Sequence, residues 1–305
     1  MKNLKFDLVV AANALLCPNP SEWYAKAYIT EDTLDNYRVV SGVKSATKIS
    51  NFLFTDTLKA KSCSWSSVTA NLDAIDISVD TIDAMVEICQ YDVEESFYST
   101  KLGKGDSADF TPNDLMSHFY EAFSGEINEE IQILRWRGNK LGATSTFLDL
   151  VDGYEVKMAA DAAIIDVTAI AITSANVLAE MAKVKIAAPV SIIRKKSDLR
   201  FYVSTNVMEA YEFAAASGNT AAYITETLGQ KFLGIQIVVC PGMSDDTMVL
   251  TLKNNLIYAC DGEGDADSIN TVNMKLTTNE PNIRSKATLK VGFFYTNPTE
   301  IVFYS

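Results

Sequence analysis

The sequence predicts an α+β protein, and three of its features carry that prediction. A helical apolar period runs from Pro112 to Arg137, strict alternation from Asp73 to Val86 marks a half-buried strand, and short strand and helix patterns follow one another from Ala162 to Tyr304. With 305 residues, 48% of them apolar and 21% charged, the chain has ample material for a buried core and is too apolar for disorder.

From Met1 to Ser45 the polarity is mixed and Pro18 and Pro20 break any long element, which predicts an arm rather than a core. Ala46 to Leu72 alternates partially and is rich in Ser, Thr and Lys, as a two-stranded ribbon projecting from the body would be. Such a ribbon buries too little to be stable alone, so Phe52, Phe54 and Trp65 need a neighbour to lie on. The strand at 73–86 turns Ile75, Ile77 and Val79 to one side and Asp76, Ser78 and Asp80 to the other. Ile88 to Tyr98 has helical spacing, and a Gly and Asp loop, Gly103 to Asp109, follows it.

The long helix starts on Thr111-Pro112-Asn113-Asp114, where Thr111 can cap and Pro112 suits the first helical position. Its apolar positions are Leu115, Phe119, Phe123, Ile127, Ile131 and Leu134, and it stops at Arg137-Gly138-Asn139. At about 1.5 Å per residue this is a spine of roughly 39 Å. Gly125 in its interior costs about 1 kcal/mol relative to Ala, so close packing or a bend is expected there.

Beyond it, Ala162 to Ile172 reads as a strand, and a helix follows Thr173 or Ser174 as its cap. Leu199 to Val203 is a short strand, after which Thr205 or Asn206 caps a helix from Val207 to Ala216. Gly234 to Cys240 reads as a buried strand closed by Pro241-Gly242, with Thr247 to Leu252 returning against it as a hairpin. Lys286 to Val291 and Ile301 to Tyr304 close the chain as strands.

The net charge is −13, which argues against a protein that works by wrapping a phosphate backbone. Residues 61–130 hold 15 Asp and Glu against three Lys, so nearly all the excess acid lies on one stretch, read as a solvated acidic face. The densest basic stretch of the second half, Lys183, Lys185, Arg194, Lys195, Lys196 and Arg200, reads as a solvated face, and the alternative is that it answers the acidic region of a neighbouring copy in charge. The five cysteines, at 17, 63, 89, 240 and 260, form no Cys-x-x-Cys pair, which suits reduced thiols in a cytoplasm. Leu8 to Leu16 before Cys17 is interrupted by Asn13 and lacks the small residue that lipoprotein cleavage needs. About 18 consecutive apolar residues appear nowhere, so no membrane span and no export signal are expected.

Few residues point to chemistry. His118, the only histidine, lies on the long helix with no nucleophile motif to serve and reads as a packed or solvated helix residue. Asp261, Glu263 and Asp265 alternate as calcium ligands do, but the glycine is misplaced and Val272 stands where the closing Glu should be. An acidic surface turn is the expectation, and neither a cofactor nor a metal is implied.

The order of parts resembles the major capsid proteins of tailed bacteriophages, whose fold is shared with encapsulin shells. Ile127 to Asn139 looks like the end of that family's spine helix and Phe147 to Gly153 like the turn after it. Ala175 to Leu178, Leu199 to Asn206, Gly234 to Val239, Met248 to Leu250, Asn254 to Tyr258 and Val291 to Tyr304 look like its successive strands and helices, most of all in phages of Bacteroidetes hosts.

The resemblance implies an N-terminal arm (1–45), an extended loop (46–72) and a peripheral domain (73–161) holding the spine helix 112–137. An axial domain (162–260) and a return to the peripheral domain (261–305) complete it. It implies a shell of hexamers and pentamers around double-stranded DNA that is held without sequence-specific binding, with no active site. The virion would be assembled in the host cytoplasm, and portal, scaffold, protease and decoration proteins are its further partners. The interface residues implied are Phe52, Phe54, Lys59, Lys61 and Trp65, large aromatics being the usual anchors of such contacts. Some members join subunits through a Lys to Asn isopeptide bond; no partner Asn or Glu is evident for Lys59 or Lys61, so no crosslink is expected. The arm is too short for a built-in scaffold, which is expected as a separate protein. The alternatives are an encapsulin-like compartment, a phage tail component and a metal-dependent enzyme using the Asp261 loop.

Overall fold

The computed structural model describes residues 36–54, 58, 70–89, 112–143, 146–217, 231–261, 270–274, 278–280 and 282–305. In chain order these form β1 (Arg38–Val40), β2 (Ala46–Phe54), β3 (Ala70–Ser78), β4 (Asp80–Cys89) and α1 (Pro112–Arg137). A single 3-10 turn, Phe147–Asp149, leads to α2 (Tyr154–Ala160), β5 (Ile165–Val167), α3 (Val177–Ala187) and α4 (Val190–Ile193). Then come β6 (Leu199–Val203), α5 (Thr205–Ser217), β7 (Lys231–Phe232), β8 (Ile235–Val239), β9 (Met248–Leu252) and β10 (Leu256–Cys260). The chain closes with β11 (Asn270–Asn273), β12 (Asn282–Tyr295) and β13 (Val302–Tyr304).

α1 has the predicted bounds, and its apolar stripe explains why it is a helix: Ile127, Ile131 and Leu134 are buried on one face at helical spacing. Its end is set by Gly138, where a Cβ would stand 2.2 Å from the Val151 carbonyl oxygen and 2.6 Å from that of Leu134. Gly125 departs from expectation. No described atom lies within 4 Å of where its Cβ would be, so it is not a close-packing position.

Two sheets lie about this helix. In the first, β10 takes β1 in parallel on one side and β12 antiparallel on the other, and β12 also pairs with β4 and β11. The second has six strands in the order β5-β13-β9-β6-β8-β7. Its side chains alternate between two cores, as strand geometry requires. Phe201, Val203, Met248, Leu250, Val302 and Tyr304 meet Val177, Met181 and Val184 of α3, while Tyr202, Val249 and Phe303 turn toward α1.

Several expectations are corrected here. The run 73–86 is two strands, because β3 ends at Ser78 and β4 begins at Asp80; the ribbon's return strand thus passes the boundary at Leu72. The helix expected at 88–98 begins inside β4, which runs to Cys89; residues 90–98, the loop 103–109 and Thr111 lie outside the described residues. The hairpin between 234–240 and 247–252 does not form. β6 lies between β8 and β9, parallel to the first and antiparallel to the second. The strand expected over 162–172 is only β5, and the cap of α3 is Asn176, whose Oδ1 accepts the Thr173 amide at 2.7 Å. α5 starts one residue after Ser204, whose carbonyl accepts the Met208 amide.

The sheets draw on distant parts of the chain. β13 belongs to the six-stranded sheet although it follows 261, and β10 belongs to the sheet of β12 although it precedes 260. The end of the arm is core: Tyr37 and Val43 are buried, and Tyr202 donates its hydroxyl to the Asn36 carbonyl at 2.6 Å. Tyr37 stacks on Tyr154 with ring centroids 6.1 Å apart, beside Trp136 and Tyr202. The buried Arg135 guanidinium stands 4.8 Å from the Tyr37 ring and 5.2 Å from that of Tyr258, as a cation packed between aromatic faces.

Candidate assembly site

The feature that stands apart from both cores is the ribbon. β2 and β3 pair with each other along nine residues each and form a two-stranded sheet of their own. Among the described residues, its base is the part tied to the body. Ile77 is fully buried with Val43, Ile257 and Ala259, while Ile49 and Ile75, opposite one another, pack against the same cluster. The Val79 amide donates to the Ser45 carbonyl at 3.0 Å. Gly292 lets β12 approach this base, since a Cβ there would stand 2.4 Å from the Ser78 carbonyl oxygen. A two-stranded ribbon is marginal by itself, so this buried base is what makes it a defined projection.

Phe52 and Phe54 lie on the distal half of β2, opposite Leu72 and Ala70 in backbone register. Lys59, Lys61 and Trp65 lie outside the described residues. The structure thus brings two of the five interface candidates onto one strand of the projection.

Below the ribbon, β4 and β12 present a ladder of charge to solvent. Lys286 reaches Asp83 at 2.8 Å, Thr288 donates to Asp83 at 2.7 Å, Arg284 reaches Glu87 at 3.1 Å, and Asn282 also donates to Glu87. Hydrogen bonds from Lys286 and Arg284 hold the Asp83 and Glu87 carboxyls below the usual carboxylate range. The other side of β4 faces α1 across an open groove of about 400 Å³ lined by Ile82, Ala84, Phe123, Ile127, Glu126 and Glu130. Burial and the neighbouring Glu126 charge push the Glu130 carboxyl up.

Between the two sheets sits a polar clamp that the sequence does not announce. Glu155 on α2 accepts the Ser244 amide at 2.8 Å through Oε1 and the Ser244 hydroxyl at 2.6 Å through Oε2. Burial, the largest influence, raises its pKa; the Ser244 hydrogen bonds and Arg137 oppose this. The folded chain therefore holds this proton more tightly than the unfolded one. Stability linked to it is fully present below the ordinary value of 4.5 and is lost as pH rises through the folded value. Glu155→Gln keeps an acceptor for the amide and a polar partner for the hydroxyl while removing the charge. Denaturant titration is expected to show Glu155→Gln more stable than the native chain at about pH 7, with the difference closing toward about pH 3.5. A variant weaker at neutral pH would reverse the assigned sign.

Among the described residues, no three His, Cys, Asp or Glu side chains come together as a metal site needs. Asp261 is buried and bound by Lys290 at 2.7 Å, and Glu263 and Asp265 lie outside the described residues. His118 is on α1, in the part whose side chains are not described. Burial lowers the pKa of Lys157 to about 8, and its ammonium is committed to the Phe293 carbonyl at 2.6 Å above the Phe294 ring. It stitches α2 to β12. No described helix is long and apolar enough to cross a membrane.

No protein-family model and no curated protein matches the chain. Solved structures do. A chain of the satellite phage P4 procapsid that includes the size determination (Sid) protein matches at TM-score 0.59 with 13% identity, over 93% of this chain and 96% of that one. A chain of the capsid of the empty GTA particle matches at 0.60 with 12% identity, over 89% and 88%. A chain of the capsid of Myoviridae phage XM1 matches at 0.55 with 10% identity, over 90% of each. These likenesses carry no argument for a Bacteroidetes host. At such low identity they speak to architecture alone: the chain has the α+β fold of tailed-phage major capsid proteins.

Proposed function

We propose that the chain is the major capsid protein of a tailed bacteriophage, assembling as hexamers and pentamers into an icosahedral shell around double-stranded DNA. The observation that supports this most is the extent of the likeness to the P4 procapsid chain, which spans 93% of this chain and 96% of that one. Little of either chain is left over for another task. In this reading the ribbon lies over an adjacent subunit, with Phe52, Phe54 and Trp65 as apolar anchors and Lys59 and Lys61 as charged contacts. The first sheet with α1 forms the peripheral part. The six-stranded sheet with α3 and α5 meets its copies at the capsid axes. The acidic total suits a wall that encloses DNA without adhering to it.

Sedimentation velocity of the chain produced without other phage proteins tests this. The expected result is a concentration-dependent shift of material into species far larger than six copies. A single species of one or two copies across the accessible concentrations would overturn the proposal.

A further inference from the structure

The turn joining β7 to β8 is conformationally costly, and its apolar side chain is left more than half exposed among the described residues. Lys231 pairs with Gln236 and Phe232 with Ile235, so Leu233 and Gly234 alone make the turn. Both have positive φ, 48° and 81°. A two-residue hairpin turn of this hand follows the twist of its strands, and Asn-Gly or Gly-Gly fills it without strain. Leucine does so against the clash of its Cβ with the backbone that keeps L-residues out of this region. Its side chain is 55% exposed, so local packing is not the reason for it. Backbone strain of this kind clusters at functional positions, and at an exposed apolar residue the function that suits it is a contact.

The surroundings give that contact a charge. The Lys196 ammonium lies beside Gly234, 2.7 Å from where a Cβ would be. Arg194, Lys195 and Lys196 follow directly on α4, whose first residue, Val190, is 63% exposed. Lys195 also reaches Glu300 at 3.7 Å. Residues 180–200 carry six Lys and Arg against Glu180 and Asp198, in a chain whose total is −13. The rest of the chain therefore carries a large excess of acid. On α1, Glu126 is exposed and stands with Glu130 on the open groove beside β4, and the two have no ion-pair partner among the described residues, so they offer a neighbour's cations a place to bind.

We infer that Val190 and Leu233 with Arg194, Lys195 and Lys196 form a docking edge for the acidic surface of a second copy, centred on its α1 carboxylates. This rests on the self-assembly proposed above and adds the surface and its partner. The contact joins two different patches, so it repeats from copy to copy around a ring instead of closing as a dimer.

Leu233→Asn separates this role from folding, because Asn suits the turn while lacking the apolar contact. The expected result is a melting temperature higher by about 2 °C, together with a concentration for half-assembly about tenfold higher. Lys195→Glu/Lys196→Glu is expected to raise that concentration likewise, and Glu126→Lys/Glu130→Lys in the same chain to restore it. Variants that all assemble at the native concentration, while the native chain forms large particles, would overturn the docking edge and leave the shell reading standing. A native chain that never assembles would overturn both. Unchanged assembly with loss of bound DNA in the Lys195/Lys196 variant would also overturn it and give the patch to nucleic acid.

Discussion

Replacing residues 50–74 by Asn-Gly, so that Ile49 turns directly into Ile75, is expected to yield a folded chain that no longer assembles. The cut keeps the contacts with the body found among the described residues, the Ile49 and Ile75 pair and Ile77 in its buried cluster, together with the Lys48 to Asp76 ion pair across the ribbon at 3.2 Å. What is removed is the outer part of a two-stranded sheet whose described strands pair with each other, and such a ribbon contributes little to the stability of the rest. Asn-Gly is the turn that two strands of this twist accept most readily. The melting temperature should stay within about 3 °C of the native value, roughly the effect of 1 kcal/mol in a chain of this size. The loss of assembly should exceed about a hundredfold in concentration, because large aromatics dominate such contacts and Phe52, Phe54 and Trp65 all leave with the segment. Thermal melting followed by circular dichroism and sedimentation read on the same preparation check both halves. A shortened chain that assembles normally would remove the ribbon from the interface.

Gly242→Ala is expected to be the most damaging single substitution in the fold. The loop from Cys240 to Ser244 joins the two-sheet body at α1, and a Cβ at 242 would stand 2.1 Å from the Gln132 carbonyl oxygen, 2.4 Å from its carbon and 2.7 Å from the Ile133 nitrogen. All three are helix backbone atoms with no side-chain freedom to yield. Retreat of the loop would pull Ser244 from Glu155 and shift Cys240, which is buried against Tyr37. Overpacking costs about 1–3 kcal/mol where side chains can adjust, and more is expected where they cannot, so the loss should be about 4 kcal/mol. In a chain of this size that lowers the melting temperature by about 10 °C. Gly125→Ala is the control. It meets open space on α1 and should gain about 1 kcal/mol from helix propensity. A mild Gly242→Ala would mean that the loop does not bind the sheets to the helix.

What the sequence disclosed and what it withheld divide along the range of the interaction. α1 was readable to its ends because its start signature, apolar spacing and Arg137-Gly138 stop are all local. That Ile75 and Ile77 lie on a strand was readable because they alternate with charge in a short stretch, while the membership of that strand in the ribbon was not. The neighbour of β8 was not, since Pro241-Gly242 looks like a hairpin turn and the insertion of β6 depends on a parallel pairing over long sequence distance. The pairing of β13 with β9 and β5 likewise joins segments far apart in sequence, which no local pattern carries. Tyr37 sits in a segment whose polarity says arm, and only the stack of Tyr154, Tyr202 and Arg135 around it makes it core. For the candidate site, the projection and its aromatics could be named from composition, while the Glu155 to Ser244 clamp joins residues 89 apart that no spacing relates. The turn at Leu233 carried a usable signal: two apolar strands separated by Leu-Gly demand a positive φ that leucine resists.

The central claim is that this chain builds a shell from copies of itself, and electron microscopy of the purified chain tests it most directly. The account predicts round, closed particles, or sheets of sixfold rings where closure fails, with walls one subunit thick. A uniform field of single chains or small compact oligomers, unchanged on concentration, would contradict it.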